Sequence, residues 1–563
     1  MLQSLTIVLS GQAGQGLQTI ETLLDKAIQQ SYHVFSTKEV MSRVRGGNNT
    51  IEIRVSTEKV YAYKHTIDML FLLNNHSFYR LHDRIDENTV IFGEEDFIDK
   101  KVLDDSQASF NKLHLTDLAK ETGSVLFSNT VLFGYISGLL DLDVEFCSKL
   151  IANRFKTKSE KVVEGNIAAF KTGFSLGQKY ENRPSIETTT EVKDYKLLNG
   201  HEAISIGAIA GGVNYISSYP MSPGTGVLEY LANKGEEFDI LVEQAEDEIA
   251  AVTMTIGAWY AGARALTTTS GGGFALMEEA VSLSGITETP VVIHIAQRPG
   301  PGTGLPTRTE QADLNLAVYS GHGEFPRIVL APGSLEDGIL LGQQAFHLAD
   351  KYQLPVFILS DQYYLDSKTS VTPLKLSEEF IQPFIVESDD DYLRYKLTDD
   401  NISPRAIPGH GTGLVKCDSD EHDERGSITE DFNVRVAMND KRLNKEPQSL
   451  DDYVSPELVG PKDYENLVIG WGSTYGVLRE ATLSSPNNKT AFLHLKQVYP
   501  LSDQISKFID QAKETILFEN NATGQLANLI NLKLDRKVTH QVLKYNGMPF
   551  TIEEVDAKLK EVF

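Results

Sequence analysis

NGHEAISIGAIAGGVNYISSYPMSPGTG, residues 199–226, carries in one stretch the pattern that decides the fold. It predicts a helix over 202–210, a strand over 215–218, and a proline and glycine loop where that strand ends. Apolar strands alternating with helical stretches recur from Leu5 onward, which predicts parallel α/β layers rather than a sandwich or bundle. Open α/β sheets bind ligands at the carboxyl ends of their strands, so the loops following strands between residues 199 and 376 are where chemistry is expected.

The chain has 563 residues, too many for one core, so roughly three or four domains are expected. Its 41% hydrophobic and 23% charged residues allow a buried interior and argue against wholesale disorder. Lys plus Arg number 52 against 78 Asp plus Glu, a formal charge of -26, which repels a phosphate backbone and makes nucleic acid a poor partner. The N-terminus lacks a basic signal-peptide region and no apolar run is long enough to span a bilayer, so a cytoplasmic protein with no membrane contact is expected. Only Cys147 and Cys417 occur, too few for a four-cysteine zinc site or iron-sulfur cluster, so any redox centre must sit on a partner.

Polar stretches near 180–196 and 378–453 divide the chain into 1–185, 197–377, an irregular insertion at 378–455, and 456–563. In the first block a strand over 5–9 leads into Gly11-Gln12-Ala13-Gly14-Gln15-Gly16 and a helix over 17–29. The spacing is not the dinucleotide fingerprint, and two readings stay open: packing glycines, or an anion cradle at a helix start. Arg43-Val44-Arg45-Gly46-Gly47 and a strand over 49–55 follow.

The second block holds the candidate chemistry. In Tyr219-Pro220-Met221-Ser222-Pro223 two prolines fix φ on either side of Ser222, which makes a rigid turn or aims a hydroxyl. A helix is expected to open over 243–251 and run to about 260. An acidic residue in a first turn suits the helix dipole and can be merely solvated. The following IAAVTMTIGAWYAGARA is apolar on nearly every face, which predicts a buried helix with Glu248 aimed into an interface or a site, where a carboxyl needs a partner. Thr267-Thr268-Thr269-Ser270-Gly271-Gly272-Gly273 is expected to be a close-approach loop before a helix over 274–284. The loop from Gln297 to Gln311, QRPGPGTGLPTRTEQ, fixes Arg298 where a guanidinium can clamp a carboxylate, although most lone loop arginines are solvated. His410 and the Cys417 to Glu424 stretch lack ligand spacing, and no metal site is expected there. From 466 the strand and helix pattern resumes.

These motifs resemble the alpha subunits, of fused gamma-alpha type, of the 2-oxoacid:ferredoxin oxidoreductases. Tyr219-Pro220-Met221-Ser222-Pro223 is similar to the family's Y-P-I-T-P. Glu248 lies in a segment like E-x-E-x-A-A, and TTTSGGGFALMEEA resembles T-x-T-S-G-P-G-x-x-L-M-x-E with Gly272 in place of proline. The RVRGG segment resembles the gamma domain's RGG, whereas the Gln12-Ala13 spacing departs from the usual G-x-G opening.

The resemblance implies an α/β multidomain fold: a Rossmann-like gamma domain (1–185), a thiamine-diphosphate-enzyme pyrimidine-binding domain (197–377), and a transketolase C-terminal-like domain (456–563). It makes Glu248 the catalytic, cofactor-activating carboxyl, with Tyr219 and Pro220 also against the cofactor. Ser222, Arg298 and Thr307 would hold the 2-oxoacid, Arg308 would be a second carboxylate ligand, and Gly11, Gly14 and Gly16 would form a coenzyme A or structural loop. The chain contains no Gly-Asp dipeptide, so thiamine diphosphate and Mg2+ would be held mainly by a beta subunit, which would also carry a 4Fe-4S cluster. The implied assembly is α2β2, with coenzyme A as co-substrate, ferredoxin as electron acceptor, and 2-oxoglutarate favoured over pyruvate. A pyruvate or broad-specificity enzyme, a non-redox thiamine enzyme and a non-catalytic binding module are the alternatives.

Overall fold

The computed structural model describes residues 3–42 and 47–563. Its chain forms two compact units, one of Met1–Leu198, Asp366–Pro373 and Thr551–Val555, the other of Asn199–Leu365, Leu374–Phe550 and Asp556–Phe563.

The first unit is built on an eight-stranded mixed sheet. Ser4–Gln12 pairs in parallel with Met69–Leu72 on one side and antiparallel with Asn48–Ser56 on the other. The helix Leu17–Ile28 packs its apolar stripe onto this sheet. Two further helices, Ser128–Leu139 and Glu160–Gln178, approach backbone to backbone. A Cβ on Gly134 would stand 2.1 Å from the Phe170 carbonyl oxygen, and one on Gly173 would stand 2.0 Å from that of Val131. The short strand Lys368–Val371 lies inside the 197–377 block of the sequence yet pairs antiparallel with His33–Glu39. Lys368 secures it there with ion pairs of 3.0 Å to both Glu21 and Asp25.

The second unit contains a seven-stranded and a five-stranded sheet. In the larger, Leu241–Gln244, Tyr215–Ser218, Ala265–Thr269, Val291–Gln297, Pro355–Asp361 and Ile328–Leu330 run parallel in that order. Their shared direction brings Tyr219, Ser270 and Arg298 to one edge. Gln497–Tyr499 closes the far side antiparallel to Ile328–Leu330, directly after Thr490–Leu495 of the smaller sheet. One continuous core therefore runs through both sheets, from Phe274 and Phe357 to Trp471, Leu493 and Ile530.

Residues 374–430 form little regular structure but are anchored by buried charges. Asp350 accepts from Arg264 at 3.0 Å and from Arg405, while Glu288 takes Lys441 at 2.7 Å and also Lys445. Burial alone would raise the Glu288 pKa, but Lys445, Lys441 and Arg394 outweigh it and hold the carboxyl well below its usual range. The insertion is irregular, as its composition predicts, because polar anchors rather than apolar periodicity hold it. His422 is buried against Tyr395, their rings 3.9 Å apart.

Two local expectations are corrected. The helix expected from 243 begins at Glu248, capped by Asp247 accepting the Ala250 N–H at 2.8 Å; residues Leu241–Gln244 are instead an edge strand paired with Tyr215–Ser218. Acidic residues suit a helix start, but here the neighbouring strand claims the backbone. Likewise Gly271–Gly273 form the first turn of the helix Gly271–Thr287 rather than a loop.

Candidate active site

Three glycines at the start of Gly271–Thr287 each face a different group. A Cβ on Gly273 would lie 2.1 Å from Thr269 Oγ1 and 2.6 Å from Glu248 Oε1. One on Gly271 would lie 2.3 Å from Asp313 Oδ2, and one on Gly272 would meet only the Gly302 carbonyl, at 3.8 Å. The helix start is thus pressed between Glu248 and Asp313, with the arginine loop across its exposed glycine.

Glu248 is 3% exposed, and its Oε1 has no hydrogen-bond partner among the described residues. The buried Ser270 Oγ and Asp313 Oδ2 are unpartnered in the same sense. Oxygens left so cost free energy unless a donor from outside the chain meets them. The helix carrying Glu248 is buried along one face only. Ile249 is 52% and Met254 39% exposed, so its all-round apolar composition serves a surface as well as the core.

The arginine loop approaches from the end of Val291–Gln297. Arg298 donates from Nη1 to the Ser222 carbonyl oxygen at 2.7 Å, bringing together two of the residues assigned to the substrate. Burial lowers the Arg298 pKa and Asp313 counters it. Ser222 and Tyr219 are exposed and Pro220 partly so. Thr307 lies in a turn closed by the Arg308 N–H on the Leu305 carbonyl, and among the described residues no hydrogen bond joins it to Arg298 or Ser222.

The loop's far end is tied to the smaller sheet. Gln311 donates to the Trp471 carbonyl at 2.8 Å and accepts from the Asn520 N–H at 3.0 Å, while Asn521 donates to the Gln311 carbonyl at 3.1 Å. Gln311 and Asp313 were not singled out by sequence reasoning. Asp313 precedes the apolar helix Leu314–Val318 and reads as its N-cap, yet its side chain makes no cap bond.

In the first unit Gly14 and Gly16, with Gln15, Leu72, Leu73 and Asn129, line a cavity of about 360 Å³. Gly11 is packed instead, a Cβ there falling 2.7 Å from Gln15 Oε1. Of the RVRGG segment, Arg43, Val44, Arg45 and Gly46 lie outside the described residues; the Gly47 carbonyl accepts the Ala13 N–H at 3.0 Å. Among the described residues no group of three or more His, Cys, Asp or Glu side chains is placed to hold a metal ion.

The parallel sheet, with its buried unpartnered carboxyl oxygen and arginine loop at one edge, lies in the part of the chain that sequence comparison matches to a thiamine-diphosphate-binding domain. Residues 206–441 match the family described as pyruvate flavodoxin/ferredoxin oxidoreductase, thiamine diP-bdg, and residues 6–176 match pyruvate ferredoxin/flavodoxin oxidoreductase. A 2-oxoacid:ferredoxin oxidoreductase alpha subunit from Sulfolobus sp is 31% identical over 99% of this chain and 97% of its own length. The 2-oxoglutarate oxidoreductase subunit KorA of Mycobacterium tuberculosis is 30% identical over 76% of this chain and 67% of its own. The solved 2-oxoglutarate:ferredoxin oxidoreductase from Magnetococcus marinus, with 2-oxoglutarate, coenzyme A and succinyl-CoA bound, superposes with a TM-score of 0.93 at 31% identity over 100% of both chains. The chain belongs to the 2-oxoacid:ferredoxin oxidoreductase family, as an alpha subunit.

Proposed function

We propose that this chain, joined to a beta subunit as an α2β2 complex in the cytoplasm, oxidatively decarboxylates a 2-oxoacid with coenzyme A as acyl acceptor and ferredoxin as electron acceptor. The observation that carries the reading is the buried, unpartnered Glu248 Oε1 against Gly273, where a Cβ has no room. When bound, thiamine diphosphate supplies a nucleophilic carbon and an electron sink for decarboxylation. Glu248 would share a proton with a ring nitrogen of its aminopyrimidine, and Tyr219 and Pro220 stand at the neighbouring strand end. Arg298, held by the Ser222 carbonyl, presents its remaining donors to the substrate carboxylate, with the Ser222 hydroxyl and Thr307 alongside and Arg308 as a ligand for a second carboxylate.

The beta subunit supplies what this sequence lacks, namely the pyrophosphate and Mg2+ site and the cysteines of a 4Fe-4S cluster. The exposed apolar residues beside Glu248 support a partner on that face. The cavity at Gly14 and Gly16 is assigned to coenzyme A. No helix among the described residues is long and apolar enough to cross a membrane. The 2-oxoglutarate in the Magnetococcus marinus relative favours that substrate over pyruvate.

The test is anaerobic reduction of ferredoxin or methyl viologen by the complex co-expressed with its beta subunit, given coenzyme A and, in turn, 2-oxoglutarate, pyruvate and a branched 2-oxoacid. Glu248→Gln is expected to lower turnover about 100-fold or more, the usual worth of a positioned acid-base group. Arg298→Ala is expected to act mainly through KM. A fully loaded complex that transfers no electrons from any 2-oxoacid would rule the redox reading out and leave the non-redox thiamine enzyme.

A further inference from the structure

Asp313, two residues beyond the arginine loop, is a carboxyl whose surroundings do not account for it. It occupies the N-cap position of Leu314–Val318 without making a cap bond. Its backbone N–H is fixed by Gln297 Oε1 at 3.0 Å, so its backbone is held by the strand that also delivers Arg298. The carboxyl is turned instead onto Gly271, where an added Cβ would fall within 2.5 Å of both oxygens and of Cγ. Oδ2 is buried and has no hydrogen-bond partner among the described residues. Arg298 acts on it only through its charge, since Oδ2 has no hydrogen-bond partner and the Arg298 Nη1 donates to the Ser222 carbonyl. A buried carboxyl oxygen without a donor, beside an arginine with donors to spare, marks the place where a third group belongs.

Resting on the 2-oxoacid reading above, we propose that Asp313 is a further substrate-binding residue, one that must carry a proton for the 2-oxoacid carboxylate to settle on Arg298. Ionised, Asp313 would set a second negative charge against the incoming carboxylate; protonated, its O–H can donate to the substrate. The proton comes from solvent on binding and returns to it on release. Burial raises the Asp313 pKa to about 6, with Glu310 pushing it up and Arg298 pulling it down, and these two are the charged groups that face it. Glu248 lies two glycines along the same helix start, against Gly273.

The sign follows from linkage. Below the Asp313 pKa the site is ready and KM is flat; above it each binding event must take up a proton, and KM climbs toward about tenfold per pH unit. The effect belongs to KM and not to kcat. The experiment uses the complete alpha-beta complex with cofactors loaded and 2-oxoglutarate as the probe, and reads KM from about pH 5.5 to pH 8 together with calorimetric proton uptake in two buffers of different ionisation heat. The expected wild-type result is a rising KM and uptake of about one proton per substrate bound at about pH 7.5. Asp313→Asn should abolish both, its KM staying near the low-pH wild-type value, about thirtyfold below wild type at about pH 7.5. Glu310→Gln, which removes the like charge, should move the midpoint to lower pH without flattening the profile.

A flat wild-type KM with normal turnover overturns the proposal alone, as does an Asp313→Asn complex that keeps the wild-type slope. A slope lost in Glu310→Gln and kept in Asp313→Asn assigns the proton to Glu310 and also overturns it. Absence of turnover with every 2-oxoacid defeats the underlying reading and this proposal with it.

Discussion

Two glycine clusters look alike on the page and serve opposite needs in the molecule. In the first unit Gly14 and Gly16 have φ of 89° and 78°, in the left-handed region, and a Cβ on Gly14 would meet nothing within 4 Å. At Gly14 the backbone conformation requires glycine and space does not, whereas at Gly16 a Cβ would also fall 2.4 Å from Asn129 Nδ2. In the second unit Gly271 and Gly273 begin a helix, and glycine is required because Asp313 and Glu248 occupy the volume a Cβ would fill. A glycine run therefore points to function through what stands beside it, and the contrast can be tested by substitutions that separate conformation from space.

The largest effect is expected at Gly273. An alanine there must displace Thr269 Oγ1 and the Glu248 carboxyl, both closer than any real contact allows. Turnover of the assembled complex should fall about 100-fold, comparable to losing the carboxyl itself, because Glu248 is moved rather than removed. Viologen reduction at saturating 2-oxoacid measures it. A Gly273→Ala complex retaining half the wild-type rate would show that the third glycine is not there to admit Glu248, and the comparison would collapse to a single structural kind of glycine.

Much of this architecture is readable in residue order, and the parts that are not have physical causes. Asn199 and Glu202 form a capping box at the start of Gly200–Ala210, and the strand Tyr215–Ser218 lies where its residues predict it. Local periodicity has no means of reporting that Lys368–Val371 joins a strand more than three hundred residues earlier, because what fixes it is the Lys368 ion pairs with Glu21 and Asp25. Within the site, Glu248, Ser222 and Arg298 stand in recognisable motifs and come to one sheet edge. Asp313 is concealed by its own position, since an aspartate before an apolar helix reads as a cap and only the fold shows that its side chain turns to Gly271.

A smaller effect is expected at Gly14, where the requirement is conformational. Gly14→Ala should destabilise the chain by about 1–2 kcal/mol, the cost of a left-handed conformation for a residue with a Cβ. Gly14→Asn should cost less, because asparagine tolerates that region better. Denaturant titration of the two variants distinguishes the cases. Equal losses for Ala and Asn would mean that volume, not φ, limits this position, and the two clusters would then be alike after all.

The smallest effect, and the sharpest contrast, is expected one residue from the largest. Gly272 sits between two glycines that cannot change, yet its own Cβ would face only the Gly302 carbonyl at ordinary contact distance. It occupies the second position of the helix, where a backbone N–H has no partner within the helix, and Ser270 makes no side-chain cap bond. Proline is therefore permitted there, and Gly271, lacking a Cβ, removes part of the clash that proline imposes on the residue before it. The resemblance noted above places proline at this same position in related chains. Gly272→Pro should hold turnover near the wild-type rate and stabilise the chain by about 0.4–1 kcal/mol through a less flexible unfolded state. A higher melting temperature with intact viologen reduction would confirm that, within three consecutive glycines, the outer two make room for Asp313 and Glu248 while the middle one is free to vary. A collapse of turnover would instead give Gly272 a spatial role of its own against the arginine loop.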